Sequence, residues 1–185
     1  MEPLKMTSPV VRNYAKALVE LMKERELLDI TRETAETMLR YFKNRELTLF
    51  LRHPQVPPEA KKGLFAKMLP SGTPQEFLNF LHLIVDRARQ DRLTEILETT
   101  VRLTILEQGY EIVTIISAQP LTEEEQRTIS SELEALWEIQ IYPEYRVNPN
   151  LLGGIIIRHG DKLYDGSLNG QLNRIKEVLI TEELS

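Results

Sequence analysis

Apolar residues recur at steps of three and four along the first hundred residues, a period typical of amphipathic helices. Ser8 and Pro9 suit the N-cap and the first position of the first helix. Residues 10–53 contain neither Gly nor Pro, so only polar turns at Leu28-Asp29 and Asn44-Arg45 can divide this region. The apolar face of the first helix is formed by Val10, Val11, Tyr14, Ala15, Leu18, Leu21 and Met22.

The same period predicts five further helices before Gly109, which suits the C′ position of the sixth. The third ends ahead of Pro54, because the residue before a proline disfavours helical backbone. Pro57-Pro58-Glu59 opens the fourth, Thr73-Pro74-Gln75-Glu76 opens the fifth as a capping box with proline at N1, and Asp91 caps the sixth. The fifth helix is the most apolar, with Phe77, Leu78, Phe80, Leu81, Leu83, Ile84 and Val85.

After Gly109 the pattern changes to short β-branched runs. Residues 111–117 predict a strand, and Thr122-Glu123-Glu124-Glu125 is a capping box that opens a helix. Residues 139–147 predict a second strand with a break at Pro143, because proline cannot donate to a sheet ladder.

The last part of the sequence predicts a hairpin and a helix. Residues 155–157 and 162–164 read as two strands around the turn His159-Gly160-Asp161. Ser167 then caps the final helix. The apolar face of that helix is formed by Leu168, Leu172, Ile175, Val178 and Leu179.

Composition changes at the same point as the pattern. Residues 1–109 hold 17 basic and 15 acidic side chains, a net charge of +2, whereas residues 110–185 hold 6 basic and 13 acidic, a net charge of −7. All five Phe precede Gly109, and five of the eight Gly follow residue 150. We therefore predict a mainly α protein with a small α/β module: an N-terminal six-helix bundle at 1–108 and a C-terminal α/β domain at 109–185.

The composition of the whole chain argues against several classes of protein. It has no cysteine, so disulfides, thiolate catalysis, zinc fingers and iron–sulfur clusters are excluded. A net charge of −5 argues against a dedicated nucleic-acid binder, whose affinity depends on cations. The sequence has no apolar run of about 18 residues, the length that spans a bilayer, and residues 1–8 resemble neither a signal nor a transit peptide. We expect a protein that is soluble and stays where it is made.

Candidate catalytic and metal-binding groups do not assemble into a site. His53, His82 and His159 lack partners at metal-ligand spacing. Glu123-Glu124-Glu125 occupies a first helical turn, where carboxylates stabilise the helix dipole. Gly153-Gly154 precedes a strand, whereas a phosphate loop opens a helix.

The segment Gly166-Ser167-Leu168-Asn169-Gly170 also lacks a catalytic pattern, because its glycines flank the serine at offsets unlike those of a nucleophile elbow. Ser167 is better explained as an N-cap. Since no nucleophile, base and orienting group can be combined, we expect no enzyme activity, metal or cofactor.

Two apolar helical faces leave an alternative open. The stripe Tyr14, Ala15 and Leu18 and the fifth helix are together suited to a groove that receives a partner's amphipathic helix. The same residues are also suited to the core of a bundle, and the sequence alone favours that interpretation.

Four segments carry a resemblance to a known family. Residues 115–122 and 148–175 contain a glycine pair, a strand, Gly-Asp, Asp-Gly-Ser and a helix in that order, and residues 12–18 and 79–85 match the first and fifth helices. In these segments the sequence resembles the delta subunit of F-type ATP synthases, the family of the mitochondrial oligomycin-sensitivity-conferring protein. It departs from the family at residues 86–93, where many members have a shorter Gly-Arg-Leu link, and at Gln171, where members often carry a basic residue.

The resemblance implies a non-catalytic stator that binds N-terminal helices of alpha subunits at the catalytic head and the ends of b subunits in the peripheral stalk, so that rotor torque drives ATP synthesis. The protein would be present in a single copy, peripheral on the cytoplasmic face of the bacterial membrane or its organelle equivalent. The residues implied in the alpha-subunit groove are Tyr14, Ala15, Leu18, Leu83 and Val85. The alternative is a helical adaptor of the same fold in another complex.

The family motif of the second domain is interpreted as structural. Gly160 and Gly166 suit turns that need positive φ, and Asp165 and Ser167 can bind the first amides of the last helix. The full set of expected fold determinants is Gly153, Gly154, Gly160, Asp161, Asp165, Gly166 and Ser167.

Overall fold

The computed structural model describes residues 8–168. The chain divides into two compact units, Met1–Gln108 and Gly109–Ser185. The predicted last helix, with Leu172, Ile175, Val178 and Leu179, lies outside the described residues, as does Gln171.

The described part of the first unit is helical. Its apolar core takes residues from all six of its α-helices and includes Phe65 and Phe77, both fully buried. One turn of 3-10 helix, Gln90–Arg92, precedes the sixth helix. The α-helices are α1 (Pro9–Glu24), α2 (Leu28–Tyr41), α3 (Arg45–Arg52), α4 (Pro58–Met68), α5 (Gln75–Asp86) and α6 (Leu93–Glu107).

The turn between α1 and α2 differs from the sequence prediction. Leu28 and Asp29 begin α2, and the chain turns at residues 25–27. Glu26 has a left-handed φ of 59°, and Leu27 N–H donates to the Met22 carbonyl at 2.9 Å, which closes the end of α1. The predicted turn at Leu28-Asp29 is therefore wrong, because Glu26 accepts the backbone conformation usually given to Gly or Asn.

Two predicted caps are also wrong. The Thr73 hydroxyl donates to the Pro70 carbonyl at 2.8 Å instead of capping α5, whose N-cap position is held by Pro74. Asp91 lies inside the 3-10 turn, so it does not cap α6. By contrast, the predicted turn at Asn44 is confirmed, since the Asn44 side chain accepts hydrogen bonds from the amides of Glu46 and Leu47.

The second unit contains a four-stranded sheet and one long helix within the described residues. The strands are β1 (Glu111–Ser117), β2 (Ile141–Val147), β3 (Ile155–His159) and β4 (Lys162–Asp165), in the spatial order β2-β1-β3-β4. β1 runs parallel to β2 and antiparallel to β3, which forms a hairpin with β4. The parallel pair is connected through α7 (Glu123–Trp137). Taken together, the described residues confirm the coarse fold class, mainly α with a small α/β module.

Alternate residues of β1 face α7. Val113 and Ile115 are fully buried and pack with Leu133 of α7 and Ile141 of β2. The helix begins with the predicted capping box: the Glu125 amide donates to the Thr122 hydroxyl at 3.3 Å, and the Thr122 amide donates to the Glu125 carboxylate at 2.7 Å. This prediction is confirmed.

Two strand predictions need correction. β2 continues through Pro143, which pairs in register with Val113. Because β2 is an edge strand, one of its sides forms no ladder and a residue without an N–H is tolerated there. His159 is the last residue of β3 and pairs with Lys162, so the hairpin loop is only Gly160-Asp161, with Gly160 at φ 56°.

None of the described helices is long and apolar enough to cross a membrane.

Candidate functional site

An open groove of about 470 Å³ lies between α1 and α5. Its apolar lining is formed by Tyr14, Ala17, Leu18, Leu21, Phe80 and Leu83, with Asn13, Glu76 and Asn79 as polar members. Leu18 and Phe80 form the floor, since they are 2% and 9% exposed, whereas Leu21 and Leu83 are 38% and 42% exposed on the two walls. The groove therefore presents apolar surface to solvent.

Contacts at two points show the relative direction of the two helices. The Arg25 guanidinium, after the end of α1, lies 2.6 Å from the Glu76 carboxylate in the first turn of α5. Earlier in α1, the ring of Tyr14 meets the ring of Phe80 edge-on, with centroids 6.4 Å apart and planes at 66°. α1 and α5 are thus antiparallel walls, held together by an ion pair at one end and an aromatic contact further along.

Two of the three polar side chains in the lining have partners. Glu76 is paired with Arg25, and the Asn79 side-chain oxygen accepts from the Gln75 amide at 3.0 Å. Apart from Asn13, the remaining lining is aliphatic and aromatic. Such a groove suits the apolar face of an amphipathic helix, which reaches it with residues spaced three and four apart.

The structure separates the five predicted interface residues into two groups. Tyr14, Leu18 and Leu83 line the groove. Ala15 and Val85 are 0% and 5% exposed and belong to the core, which corrects their placement on the predicted surface. Neither residue belongs to the groove lining.

Three apolar groove residues, together with the polar Asn13, Glu76 and Asn79, were not among the predicted site residues. Ala17, Leu21 and Phe80 complete the apolar part of the lining. The first two could have been found, because Tyr14, Ala17, Leu18 and Leu21 follow the spacing i, i+3, i+4, i+7 of a single helical face. That face lies beside the more buried one that contains Ala15.

In the second unit, the glycines of the family motif allow two chain segments, residues 153–155 and 166–168, to approach each other closely. Gly154 has φ 78°, and a Cβ at this position would lie 2.4 Å from the Gly166 carbonyl oxygen and 2.9 Å from the Ser167 Cα. The Gly166 amide donates to the Ile155 carbonyl at 3.0 Å, and the Leu168 amide donates to the Gly153 carbonyl at 3.1 Å. Only a residue without a side chain fits at Gly154.

The rest of the motif follows the same geometry, with one correction. The Ser167 amide donates to the Asp165 carboxylate at 2.9 Å, and Ser167 is buried. Gly160 has the expected positive φ, but Gly166 does not. At Gly166 the constraint is a tight contact instead, since a Cβ there would lie 3.2 Å from the Ile155 carbonyl oxygen, and one of the two would have to move by a few tenths of an ångström.

Two of the histidines have hydrogen-bond partners close to them in the fold. His53 Nδ1 accepts from the Gln55 amide at 3.2 Å, and His159 hydrogen-bonds to the Glu111 carboxylate. Among residues 8–168, no three His, Asp or Glu side chains are placed to hold a metal ion. Hydrogen bonds from the backbone and side chain of Thr122 lower the pKa of Glu125, consistent with a helix-capping carboxylate.

Comparison with known proteins matches residues 10–179 to the family described as the ATP synthase delta (OSCP) subunit. The ATP synthase subunit delta of Bacillus cereus (strain B4264) is 35% identical over 92% of this chain and 96% of that protein. The subunit delta of Natranaerobius thermophilus is 33% identical over 92% and 95%. A chain in the mitochondrial ATP synthase hexamer of Toxoplasma gondii shares the fold, with a TM-score of 0.70, 19% identity and coverage of 94% of this chain and 98% of that chain.

Proposed function

The chain belongs to the ATP synthase delta (OSCP) subunit family, and from this premise we propose that it is a non-catalytic stator subunit of the proton-translocating F-type ATP synthase. It links the catalytic head to the peripheral stalk and prevents the head from turning with the rotor. In this way rotor torque drives ATP synthesis. The subunit acts as a single copy and reaches the cytoplasmic face of the membrane through the complex.

The groove between α1 and α5 carries this proposal. Its walls expose Leu21 and Leu83 above a floor of Leu18 and Phe80, and its polar residue Glu76 is neutralised by Arg25. We assign it to N-terminal helices of the alpha subunit. The six helices of residues 1–108 act as one bundle that supports the two walls.

The second domain, residues 109–185, is assigned to the ends of the b subunits. Residues 110–185 carry a net charge of −7, whereas residues 1–109 carry +2, so the two domains suit partners of different charge. Because acidic surfaces attract basic ones, the stalk end that binds here is expected to be basic. High salt should accordingly release the b subunits before the alpha subunits.

A joint under torque must dissociate slowly. Affinity differences between related complexes lie mostly in the dissociation rate, so the head contact should be nanomolar or tighter, about −12 kcal/mol. A groove whose walls are packed against a core of fully buried residues is suited to this task, since little ordering is needed when the partner binds.

Calorimetry with a peptide from the alpha-subunit N-terminus and the full-length protein tests the groove. The wild type should bind. Leu83→Asp should abolish binding and leave the helical circular dichroism unchanged, because Leu83 is already solvent-exposed. Leu49→Asp is the matched control, since Leu49 is 57% exposed on α3, outside the groove.

Two results would contradict the proposal. Even a weak contact would be detected with the peptide at tens of micromolar. If the folded wild type does not bind the peptide at that concentration, the groove assignment is wrong. If the protein is recovered from cells under gentle conditions without alpha, beta or b subunits, it is an adaptor of the same fold in another complex.

A further inference from the structure

A second exposed apolar surface lies at the end of α7. Leu136 is 74% exposed and precedes Trp137, the last residue of the helix, whose ring packs against Tyr164 on the edge strand β4. Tyr164 is itself 43% exposed. We call these three residues, with the neighbouring Glu132 and Glu138, the Trp137 surface.

The position of the Trp137 ring is fixed by contacts with neighbouring side chains. The Trp137 ring stacks on His159, with centroids 4.8 Å apart and planes at 17°, and meets the Tyr164 ring in a tilted arrangement, with centroids 5.5 Å apart and planes at 35°. His159 is held in turn by the Glu111 carboxylate on β1. Aromatic residues with little freedom left to lose are the side chains that dominate binding energy at protein interfaces.

The charges around the surface are mostly negative. Glu132 and Leu136 are four residues apart and share one face of α7, and Glu138 follows Trp137 directly. The last turn of α7, which lies wholly within the described residues, contains no Lys or Arg. The partial negative charge at the C-terminal end of the helix is therefore not offset by a basic side chain in that turn, and it adds to the negative charge of the carboxylates. Lys162, the pairing partner of His159, is a nearby cation on β4.

From this combination we propose that the Trp137 surface is a docking site for an amphipathic helix whose apolar stripe is flanked by Lys or Arg. The stripe would cover Leu136, Trp137 and Tyr164, and the cations would meet Glu132, Glu138 and the end of α7. The inference deepens the proposed function, on which it rests, by naming the surface and the chemistry through which the second domain meets its stalk partner.

Trp137 makes the test direct, because it is the chain's single tryptophan. Two designed peptides, one of Leu and Lys and one of Leu and Glu with the same apolar face, are titrated into the full-length protein. The Leu-Lys peptide should shift the Trp137 emission to shorter wavelength and bind at least about tenfold more tightly than the Leu-Glu peptide. Added salt should weaken the binding of the Leu-Lys peptide.

Variants locate the contact. Leu136→Asp and the double variant Glu132→Lys, Glu138→Lys should each weaken Leu-Lys binding by at least about tenfold. The matched controls are Leu152→Asp, at a position 70% exposed elsewhere in the second unit, and Glu123→Lys, in the first turn of α7. Both controls should bind like the wild type. Equal losses in variants and controls would overturn the proposal.

A peptide from the C-terminal end of the b subunit separates this inference from the proposed function. If that peptide binds the wild type and Leu136→Asp equally, the stator assignment stands and the Trp137 surface is the wrong site. If the Leu-Lys peptide binds the Trp137 surface and the b peptide does not bind the protein, the docking site is supported and the assignment of the second domain to the b subunits is wrong.

Two other occupants would also overturn the proposal. A Trp137 emission that changes with protein concentration alone would indicate a second copy of the chain. A shift to longer wavelength on ending the chain at Leu168 would indicate the chain's own last residues.

Discussion

Leu83 and Val85 lie two residues apart on α5 in opposite environments: Leu83 is 42% exposed in the wall of the groove, and Val85 is 5% exposed in the core. Two steps along a helix turn the side chain by about 200°. The two residues therefore separate binding from stability on a single helix. A charge at one position should affect the partner, and a charge at the other should affect the fold.

We expect Val85→Asp to unfold or severely destabilise the first unit. An unpaired carboxylate would be buried among apolar residues such as Ile84, at a cost exceeding about 4 kcal/mol. Thermal unfolding followed by circular dichroism measures the loss, and Leu83→Asp is the matched control with near-normal stability. A Val85→Asp protein that melts like the wild type would mean that Val85 faces solvent.

Gly154→Ala should destabilise the second unit by at least about 2 kcal/mol, because it combines positive φ with a clash against Gly166. Urea unfolding followed by Trp137 fluorescence reports on this unit. The same substitution at Gly63, in α4, meets open space and should stabilise the first unit by about 0.5–1 kcal/mol. Equal effects at the two glycines would contradict the close approach at Gly154.

Ala88→Gly should stabilise the end of α5. Ala88 has φ 50°, and the amides of Ala88 and Arg89 donate to the carbonyls of Val85 and Ile84, each at 2.9 Å. Glycine relieves the left-handed backbone strain of about 1 kcal/mol. Urea unfolding followed by circular dichroism should show a higher midpoint.

Ala66→Gly is the control for that change, since Ala66 lies exposed within α4, where glycine costs about 0.5–1 kcal/mol. If both alanine substitutions lower the midpoint, the left-handed turn at Ala88 is not a source of strain.

The capping box of α7 predicts a pH dependence. Because the folded-state pKa of Glu125 is lowered from its ordinary 4.5, its stabilising effect is present above the unfolded pKa and is lost as the pH falls through the folded pKa. Thr122→Val removes the hydroxyl but keeps the backbone amide, which is the larger cause of the lowered pKa, so it should raise the pKa of Glu125 only part of the way towards its ordinary value, as followed by NMR titration of the carboxyl. Thr122→Ser retains both hydrogen bonds and should keep the pKa as low as in the wild type; an identical pKa in Thr122→Val and Thr122→Ser would show that the hydroxyl contributes nothing.

Local patterns predicted most of the helices and strands, and failed where a residue took an uncommon backbone conformation. Glu26 supplies the turn that the sequence suggested for Leu28-Asp29, and Ala88 supplies one that carries no glycine signal. At Thr73 a nearby carbonyl competed for the hydroxyl expected to cap α5. These outcomes depend on small differences in local energy that residue type alone does not reveal.

The sequence by itself determined the helical and β-branched periods, the lack of cysteine and the motif that resembles the delta family, because each depends on residues near one another in the chain. Tertiary structure alone decided that Tyr14, Leu18 and Leu83 share a groove whereas Ala15 and Val85 do not. α5 is apolar on most of its circumference, so its pattern cannot show which side meets α1. That side is selected by contacts between distant residues, such as Arg25 with Glu76.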